Sequence, residues 1–430
     1  MDTSSSSSSS SPEGPYRHQI PIPRTYKFIK VLGEGGFGTV VKCVKLSTGE
    51  TRAIKIPRSN EDPRQEASIM TILAKHNLDK FNIIKYHGAL LAYGQMSLVF
   101  EMLDISLQDY LINLKGPMRL ENIRTVIQQL ATALNALKTV SLIHCDIKID
   151  NVMMVDHKRQ PFRVKLIDFG LAFFKSQAML GMVGQALPYR APEIMLGLPV
   201  SEAIDIWSLG CVMAVMMFGL MLFPSSNEYL TLRHVIDLLG PPPEHLVRTG
   251  IRVPLFFKKT ESDEWILKTS EEIWGTEPPP RDKRMYTFRH LDETATMRLE
   301  RDNKMEADER RECIELLKAM LTWDVKERIT PDGILSHPFI TKSFLNNSSN
   351  LSTCDEPRPN ASQPKSDTRE VKKTQDNDNK AFPRGVILVR EARPENRTPL
   401  TETLEEDTDI RQDIFSLIVP PRQTPCPKQN

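Results

Sequence analysis

The fold of this chain is decided by the stretch His144-Cys145-Asp146-Ile147-Lys148-Ile149-Asp150-Asn151. Within it, Asp146 can accept a proton from a hydroxyl group, Lys148 can neutralise a phosphoryl group, and Asn151 can coordinate a metal. An ordinary polar loop could have the same composition, because short motifs also occur by chance. The octet alone leaves both interpretations open, so the rest of the chain has to decide between them.

Composition argues against several classes of protein. The 56 Lys and Arg residues nearly balance the 55 Asp and Glu residues, so overall charge favours neither nucleic acid nor an anionic membrane as a partner. The six cysteines are scattered without paired spacing, which favours a reducing compartment over a disulfide framework or a zinc site. The serine run Ser4 to Ser11 lacks the pattern of a secretory signal. We therefore expect a protein that is not secreted.

One apolar segment could be mistaken for a membrane span. Ile206 to Phe223 contains no charged residue, and its eighteen residues are near the lower limit for a transmembrane helix. A helix that is apolar on all sides can equally lie at the centre of a large domain. We interpret the segment as a buried core helix.

A glycine-rich turn lies between two strand-like runs near the start of the chain. Residues 26–32 and Val40 to Leu46 flank the sequence Gly33-Glu34-Gly35-Gly36-Phe37-Gly38-Thr39. A dinucleotide-binding glycine motif opens a helix, whereas this one runs into β-branched residues. We interpret it as a hairpin tip, where backbone N–H groups can approach phosphates.

A lysine and a glutamate follow this hairpin. Lys55 lies on a third predicted strand, Thr51 to Ile56; it could face solvent, but behind a glycine hairpin it is placed to reach nucleotide phosphates. Asp62-Pro63 predicts a helix start, as N-cap and first helical position. Glu66 within that helix could serve only the helix dipole. The alternative, which we favour, is an ion pair that orients Lys55.

The central part of the chain alternates strands and helices. Met96 to Leu103 predicts an apolar strand, and Glu121 to Val140 predicts an amphipathic helix. After the octet, short strands at 152–155 and 164–167 lead to Asp168-Phe169-Gly170. A carboxylate at the end of a strand can hold Mg²⁺ together with phosphate oxygens.

Beyond residue 224 the pattern is mostly helical. A loop-rich insertion is predicted at about 241–300, followed by a helix around 305–322 and a short last helix that begins at Thr330-Pro331. The chain ends, residues 1–25 and 341–430, are polar and are predicted to be disordered.

Five motifs stand in the order found in eukaryotic protein kinases. They are Gly33–Val40, Ala-Ile-Lys ending at Lys55, His144–Asn151, Asp168–Gly170 and Ala191–Glu193. The resemblance covers about residues 26–340 and implies an α+β, bilobal protein kinase fold. A small antiparallel β-sheet N-lobe with one main helix would span about 26–103. A larger, mostly helical C-lobe would span about 104–340.

Within the kinases, the chain resembles the homeodomain-interacting protein kinases of the CMGC group. Cys145 replaces the usual arginine between His144 and Asp146, as in the related dual-specificity tyrosine-regulated kinases. The likeness is closest in Val155–Lys165 and Glu193–Asp205. Members of this family are Ser/Thr kinases, often proline-directed, that act largely in the nucleus on transcriptional regulators. The resemblance implies transcription factors or co-regulators as protein substrates, no direct contact with nucleic acid or membrane, and a nuclear or also cytoplasmic location.

The resemblance also implies a role for each motif residue. Lys55, paired with Glu66, would hold the α- and β-phosphates of ATP, and Asp146 would be the catalytic base beside Lys148. Asn151 and Asp168 would bind Mg²⁺, and Glu193 would pair with Arg328 to brace the C-lobe. The residues implied in ATP binding are Leu32, Gly33, Glu34, Gly35, Gly36, Phe37, Gly38, Val40, Ala53, Lys55, Phe100, Glu101, Leu103 and Asn151.

The activation loop departs from the family pattern. Val183 stands where family members carry a tyrosine that becomes phosphorylated, and Leu187-Pro188 replaces the usual Arg-Tyr. A phosphotyrosine switch works through new Arg–phosphate pairs, so we predict that tyrosine phosphorylation does not switch this loop. We expect apolar packing to hold it instead, through Met179, Leu180, Met182, Val183 and Leu187. The altered loop leaves the preference for proline open.

Three hypotheses therefore remain. The first is an active ATP-dependent Ser/Thr kinase, which the complete set of Lys55, Glu66, Asp146, Asn151 and Asp168 favours. The second is a pseudokinase or scaffold that uses the same fold to bind other proteins. The third, compatible with either, is an adaptor whose apolar islands Val386–Val389 and Ile414–Val419 add a strand to a partner's sheet. Such islands can also be incidental.

Overall fold

The described part of the chain covers the region predicted to be the kinase domain. The structure, a computed structural model, describes residues 21–36, 38–58, 61–114, 116–275, 284–286, 288–296 and 304–345. All of them belong to the first of two structural units, Met1–Asn379. The predicted disorder of the chain ends falls almost wholly outside the described residues, and so do both apolar islands.

The N-terminal part is a five-stranded antiparallel sheet. Its strands are β1 (Tyr26–Gly35), β2 (Gly38–Lys45), β3 (Thr51–Ile56), β4 (Tyr86–Ala92) and β5 (Gln95–Glu101). Their order across the sheet is β1-β2-β3-β5-β4. The sequence predicted four of them but not β4, in which a register shift occurs between Tyr86 and Gly88.

The two faces of this sheet have different environments. Because side chains alternate along a strand, Val41, Ile54 and Val99 face one side, where they form a buried apolar cluster with Cys43 and Ile56. Lys55 faces the opposite side and reaches the second lobe. We call this the cleft face.

The one α-helix in the described part of the N-lobe carries Glu66. Helix α1 spans Arg64–Lys75 and buries Glu66 together with Ile69, Met70 and Leu73. The predicted start was wrong by one residue, because Pro63 occupies the N-cap position and no side chain caps the helix. Asp62 instead accepts a hydrogen bond from the backbone N–H of Arg64 at 3.0 Å.

The second lobe is mostly helical, with short strands near the octet. Its first elements are α2 (Leu107–Asn113), α3 (Leu120–Thr139), β6 (Leu142–Ile143), β7 (Val152–Asp156), β8 (Gln160–Leu166), β9 (Phe173–Phe174), α4 (Pro192–Leu196) and α5 (Ala203–Phe218). The strands pair antiparallel as β6 with β9 and β7 with β8. The apolar stripe predicted for α3 is buried, as expected.

Helix α5 is the buried centre of this lobe, which confirms the prediction of a core helix. Nearly all of its residues are buried. It ends at Phe218 rather than Phe223, because Gly219 adopts a left-handed conformation with φ of 71°. Phe223 nevertheless packs into the core and stacks on Trp207 at 5.8 Å. Within the described ranges, no helix has the length and apolarity needed to cross a bilayer.

The remaining elements include the predicted insertion. They are α6 (Glu228–Leu239), α7 (Glu244–Thr249), α8 (Val253–Phe256), the hairpin of β10 (Phe257–Lys259) and β11 (Trp265–Leu267), α9 (Ser270–Trp274), α10 (Lys304–Met320), α11 (Pro331–Ser336) and α12 (Pro338–Thr341). Thr330 caps α11, which begins where the sequence predicted, by accepting from the N–H of Gly333, but α11 is not the last helix, because α12 follows it.

Candidate functional site

The octet is anchored from below by helix α5. The backbone N–H groups of His144 and Cys145 donate to the two carboxylate oxygens of Asp205 at 2.7 and 2.9 Å. Burial raises the pKa of Asp205 to about 7, although these two donors favour its ionised form. Since Asp205 sits in the first turn of α5, nearly all of whose residues are buried, it ties the octet to the core of the lobe.

The buried side chain of His144 stabilises the turn of the octet. Burial lowers the pKa of His144, so its ring is neutral near pH 7. Its Nδ1 accepts from the N–H of Asp146 at 3.2 Å, and its Nε2 lies 3.1 Å from the carbonyl oxygen of Ile167. The pair of contacts requires the tautomer with hydrogen on Nε2. His144 thereby joins the octet to the strand end that carries Asp168.

The three predicted catalytic groups of the octet converge. Asn151 donates from Nδ2 to both the carbonyl oxygen and Oδ2 of Asp146, at 2.9 and 2.7 Å. Lys148 Nζ lies 3.0 Å from the same Oδ2. Asp146 and Asn151 are buried, which an ordinary polar surface loop would not require. The hydrogen bonds and the ion pair hold the Asp146 carboxylate in one orientation.

Lys55 lies between two carboxylates, one from each lobe. Its Nζ is 2.8 Å from Glu66 Oε2 on α1 and 2.8 Å from Asp168 Oδ1. Burial alone would lower the pKa of Lys55, but the two carboxylates raise it above its usual value. Burial likewise opposes ionisation of Asp168, but the Lys55 ammonium outweighs it and lowers the pKa of that carboxyl. The geometry expected of the Lys55–Glu66 pair is present, and burial raises the pKa of the Glu66 carboxyl although the Lys55 ammonium opposes this.

Asn151 and Asp168 form a donor set that fits a divalent cation bound with phosphate. Both N–H groups of the Asn151 amide are directed to Asp146, so its Oδ1 is the atom left to coordinate a cation. Asp168 has a left-handed backbone with φ of 62° and its Oδ1 accepts from the N–H of Gly170 at 3.3 Å. One or two carboxylates plus substrate phosphates are the usual ligands of Mg²⁺. Within the described ranges, no cluster of three or more His, Cys, Asp or Glu side chains offers a complete protein site.

The glycine hairpin closes the cleft from above. Gly35 and Gly38 form the last pair of β1 and β2, and a Cβ on Gly38 would lie 2.0 Å from the carbonyl oxygen of Ile56. At Gly33 and Gly35 no atom lies within 4 Å of such a Cβ, so their backbone is open to a ligand. The predicted residues at the tip and flanks lie together here, as Leu32, Gly33, Glu34, Gly35, Gly36, Gly38 and Val40. Phe37 lies outside the described residues.

The other predicted nucleotide-binding residues lie on β3, on β5 and in the segment that follows β5. Ala53 on β3 pairs in register with Phe100 on β5, and both are buried, as is Leu103. The Phe100 ring packs against Tyr86 with centroids 5.7 Å apart.

Lys165 is a residue of this site that sequence reasoning missed. It lies on β8, three residues before Asp168, and its Nζ is 2.5 Å from Glu101 Oε1. The same Oε1 accepts from the backbone N–H of Lys85 at 2.6 Å. This ion pair between the buried Lys165 and the half-buried Glu101 joins β8, which ends two residues before Asp168, to the end of β5. The only signal in the sequence was a lysine inside the apolar run Val164-Lys165-Leu166.

The activation loop is held by a buried polar residue, and the expected apolar packing is present only in part, since Met182, Val183 and Leu187 are half-buried. Met179 and Leu180 are 46% and 57% exposed, so that expectation was wrong for them. Gln185 is buried and donates from Nε2 to the carbonyl oxygen of Ile204 and to Ser208 Oγ, at 3.0 and 2.8 Å. Its Oε1 accepts from the N–H of Ala191 at 2.9 Å. Gln185 thus fastens the loop to α5 and α4.

Two arginines complete this attachment without a phosphate. Arg190 donates to the carbonyl oxygen of Gln185 and, at 2.7 Å, to Glu228 Oε1. Arg252 donates to Glu228 Oε2 at 2.6 Å. Cys145 lies beneath the loop, where a Cβ on Gly184 would be 2.8 Å from its Sγ. Burial raises the pKa of Cys145 to about 12, so it remains a neutral thiol that cannot bind phosphate.

The geometry of the cleft and a comparison of sequences define the class of protein. The protein kinase domain family matches residues 26–340, and the chain belongs to that family. Several relatives that it matches at 37–42% identity are homeodomain-interacting protein kinases, as the motifs predicted. Homeodomain-interacting protein kinase 2 of Mesocricetus auratus is 42% identical over 357 residues, which is 79% of this chain and 31% of that protein.

Two further relatives agree. Homeodomain-interacting protein kinase 1 of Mus musculus is 42% identical over 352 residues, covering 77% of this chain and 29% of the relative. Homeodomain-interacting protein kinase 4 of Homo sapiens is 37% identical over 346 residues, covering 74% of this chain and 56% of the relative. The chain therefore spans about a third to just over half of the length of these curated relatives.

Proposed function

We propose that the protein is a Ser/Thr protein kinase that transfers the γ-phosphate of ATP to hydroxyl groups of other proteins. The observation that carries this proposal is the arrangement of two ion-paired groups across the cleft. Lys55 is fixed between Glu66 and Asp168, while Asp146 is oriented by Asn151 and Lys148. Phosphoryl transfer depends mainly on positioning and electrostatic stabilisation, and this arrangement supplies both.

Each side chain has a defined task in this proposal. Asp146 accepts the proton of the acceptor hydroxyl, and Lys148 balances the negative charge of the phosphoryl group as it moves. Lys55 orients the α- and β-phosphates of ATP, with Glu66 holding its ammonium in place. Asn151 and Asp168 would hold Mg²⁺, which neutralises charge on the β- and γ-phosphates when bound. The residues assigned to ATP line the face between the glycine hairpin and Leu103.

A pseudokinase or scaffold has no specific observation in its favour. A pure binding module has no need of a buried carboxylate that two neighbouring side chains orient. Substrates are proposed by analogy with the relatives, whose names describe interaction with homeodomain proteins. We propose transcription factors or co-regulators as substrates and a nuclear location. Lys148, beside the proposed base Asp146, favours Ser or Thr over Tyr as the residue that receives the phosphate.

The proposed activity is tested by transfer of labelled γ-phosphate to a peptide library. We expect incorporation into Ser and Thr peptides by the wild-type protein, and a loss of about 100-fold or more in Lys55→Ala, because an orienting charge on the phosphates is removed. Arg58→Ala is a matched control, since it removes another N-lobe cation that is exposed. If wild type and Lys55→Ala are equally silent although both bind Mg-ATP, the chain is not a kinase.

A second expected result concerns control of the activation loop. Treatment of the active protein with a tyrosine phosphatase should change kcat by less than about twofold, because Tyr189, the one tyrosine of the loop, is buried and Arg190 is already paired with Glu228 rather than free for an Arg–phosphate pair. Gln185, Arg190 and Glu228 already make the contacts that fasten the loop. The measurement is peptide phosphorylation before and after treatment, with mass spectrometry of the loop peptide. Stoichiometric phosphotyrosine at Tyr189, the one tyrosine between Asp168 and Glu193, together with a large fall in kcat after treatment, would contradict this prediction.

A further inference from the structure

The strands above the cleft carry a local excess of positive charge. Residues 21–58 contain only two carboxylates, Glu34 and Glu50, although the whole chain has a formal charge of +1. Their eight basic residues are Arg24, Lys27, Lys30, Lys42, Lys45, Arg52, Lys55 and Arg58. Lys55 is used in the catalytic site, and Arg52 pairs with Glu50. The excess charge of the other residues is not explained by the proposed catalysis.

Three of these lysines share the cleft face of the sheet. On β2, Val41 and Cys43 face the apolar cluster on the other side, so Lys42 between them faces the cleft. Lys30 lies directly opposite Lys42 in the antiparallel register. Lys27 pairs with Val44, two residues beyond Lys42, and therefore faces the same way. We call Lys27, Lys30 and Lys42 the lysine patch.

A bulge in β1 creates this patch. The register shifts between Phe28 and Lys30, so Ile29 is the extra residue. Without the shift, Ile29 would share the face of Lys27, and Lys30 would lie on the opposite face. Bulges re-aim side chains and are treated as purposeful features of a sheet. Here the bulge places two like charges opposite each other, an arrangement that destabilises a strand pair.

Structural explanations account for only part of the patch. β1 is an edge strand, and lysines on edge strands prevent unwanted strand pairing. This explains Lys27 and Lys30 but not Lys42, because β2 is paired on both sides. None of the three ammonium groups has an ion pair or hydrogen bond to another described residue, so no neighbouring carboxylate in that part of the chain offsets their repulsion.

The patch is also separate from the phosphate-binding tip. Lys42 lies four residues from Gly38 along β2, which is about 13 Å at the rise of a strand. Val40 lies between them on the same face. The phosphates of a nucleotide held at the glycine tip therefore lie away from the lysine patch, whereas Lys42 is paired in register with Ala53, so the patch adjoins the other end of the nucleotide site.

We propose that the lysine patch is a docking surface for an acidic peptide segment of a protein partner. Carboxylates at alternate positions of an extended peptide lie about 7 Å apart on one side, a spacing that suits ammonium groups along two paired strands. Lysine presents a compact charge that pairs with carboxylates without needing a planar partner. Recognition of single-stranded nucleic acid uses aromatic side chains for stacking, and the patch itself consists of three lysines only.

The test uses the full-length protein without ATP and a fluorescein-labelled peptide of alternating Glu and Ser, followed by fluorescence anisotropy at low salt. We expect Lys30→Glu to weaken binding about tenfold, because it reverses the central charge of the patch. The same change should raise the melting temperature by about 1–3 °C, since a Glu–Lys pair replaces a Lys–Lys pair. A loss of binding with a gain of stability cannot come from misfolding.

Lys45→Glu is the matched control. It makes the same charge change on the same hairpin, but Lys45 pairs with Tyr26, a residue packed on the apolar cluster side, and should alter binding less than about twofold. If Lys30→Glu and Lys45→Glu weaken peptide binding equally, the effect comes from the net charge of the protein and the proposal is overturned. Tighter, Lys30-dependent binding of an oligonucleotide or of phosphatidylserine vesicles would overturn it in favour of that partner. Absence of peptide binding to the wild type would also overturn it.

Discussion

Replacing Asp146 with asparagine should lower kcat for phosphate transfer by about 100- to 10,000-fold, the range in which a positioned general base contributes. Asparagine has nearly the same shape, so the contacts of the loop to Asp205 and His144 are retained. It cannot accept the proton of the acceptor hydroxyl. The affinity for ATP should change by less than about threefold, because Lys55 and the glycine hairpin are untouched.

The measurement combines steady-state kinetics with binding of a fluorescent ATP analogue. Asp150→Asn is a matched control, because it removes a carboxylate from the same octet at an exposed position. At saturating peptide, we expect its kcat to remain within about threefold of the wild type. If Asp146→Asn keeps more than about a tenth of the wild-type kcat, the general-base role of Asp146 fails. Loss of ATP binding in that variant would instead show that Asp146 is structural.

The parts of the site that could be predicted are those whose chemistry has a short sequence signature. The octet, the glycine hairpin and Asp168-Phe169-Gly170 each combine special residues within a few positions. The pairing of Lys55 with Glu66 could be predicted because both residues lie close in sequence to the hairpin. Its geometry at 2.8 Å agrees with the prediction.

The residues that were missed form their contacts over long sequence distances. Lys165 contacts Glu101, which precedes it by 64 residues. The sequence around either residue does not indicate which residue it pairs with. Gln185 is a single polar residue in a loop whose side chains were expected to pack by apolar contact. Its role became apparent only once α5 placed Ile204 and Ser208 beside it. Pairings of this kind depend on topology, which short motifs do not encode.

Boundaries of elements were less predictable than their existence. Helix α5 was expected through Phe223, since apolar residues continue beyond Phe218, but the left-handed Gly219 ends the helix. Apolar content predicted burial of the whole segment correctly, because burial depends on side-chain chemistry. The end of the helix depends on one backbone torsion, for which a glycine permits but does not require the turn.

The largest expected effect on stability comes from Arg328, the predicted brace of the C-lobe. Arg328 Nη1 and Nη2 lie 2.6 and 2.8 Å from Glu193 Oε1 and Oε2, and the two side chains are 0% and 1% exposed. The guanidinium also donates to the carbonyl oxygens of Thr322 and Ala203, both at 2.9 Å. It thereby joins α4, the start of α5 and the turn after α10.

Arg328→Leu should lower the free energy of unfolding by about 3–5 kcal/mol, because it leaves the buried Glu193 carboxylate without a counter-charge. Urea unfolding followed by tryptophan fluorescence measures the change. The double variant Arg328→Leu/Glu193→Gln should recover about 1–2 kcal/mol, since no unpaired charge then remains. Arg248→Leu removes an exposed partner of Glu244 and should leave the unfolding midpoint nearly unchanged. If the double variant is as unstable as Arg328→Leu, the carbonyl contacts of the guanidinium, rather than its charge, brace the lobe.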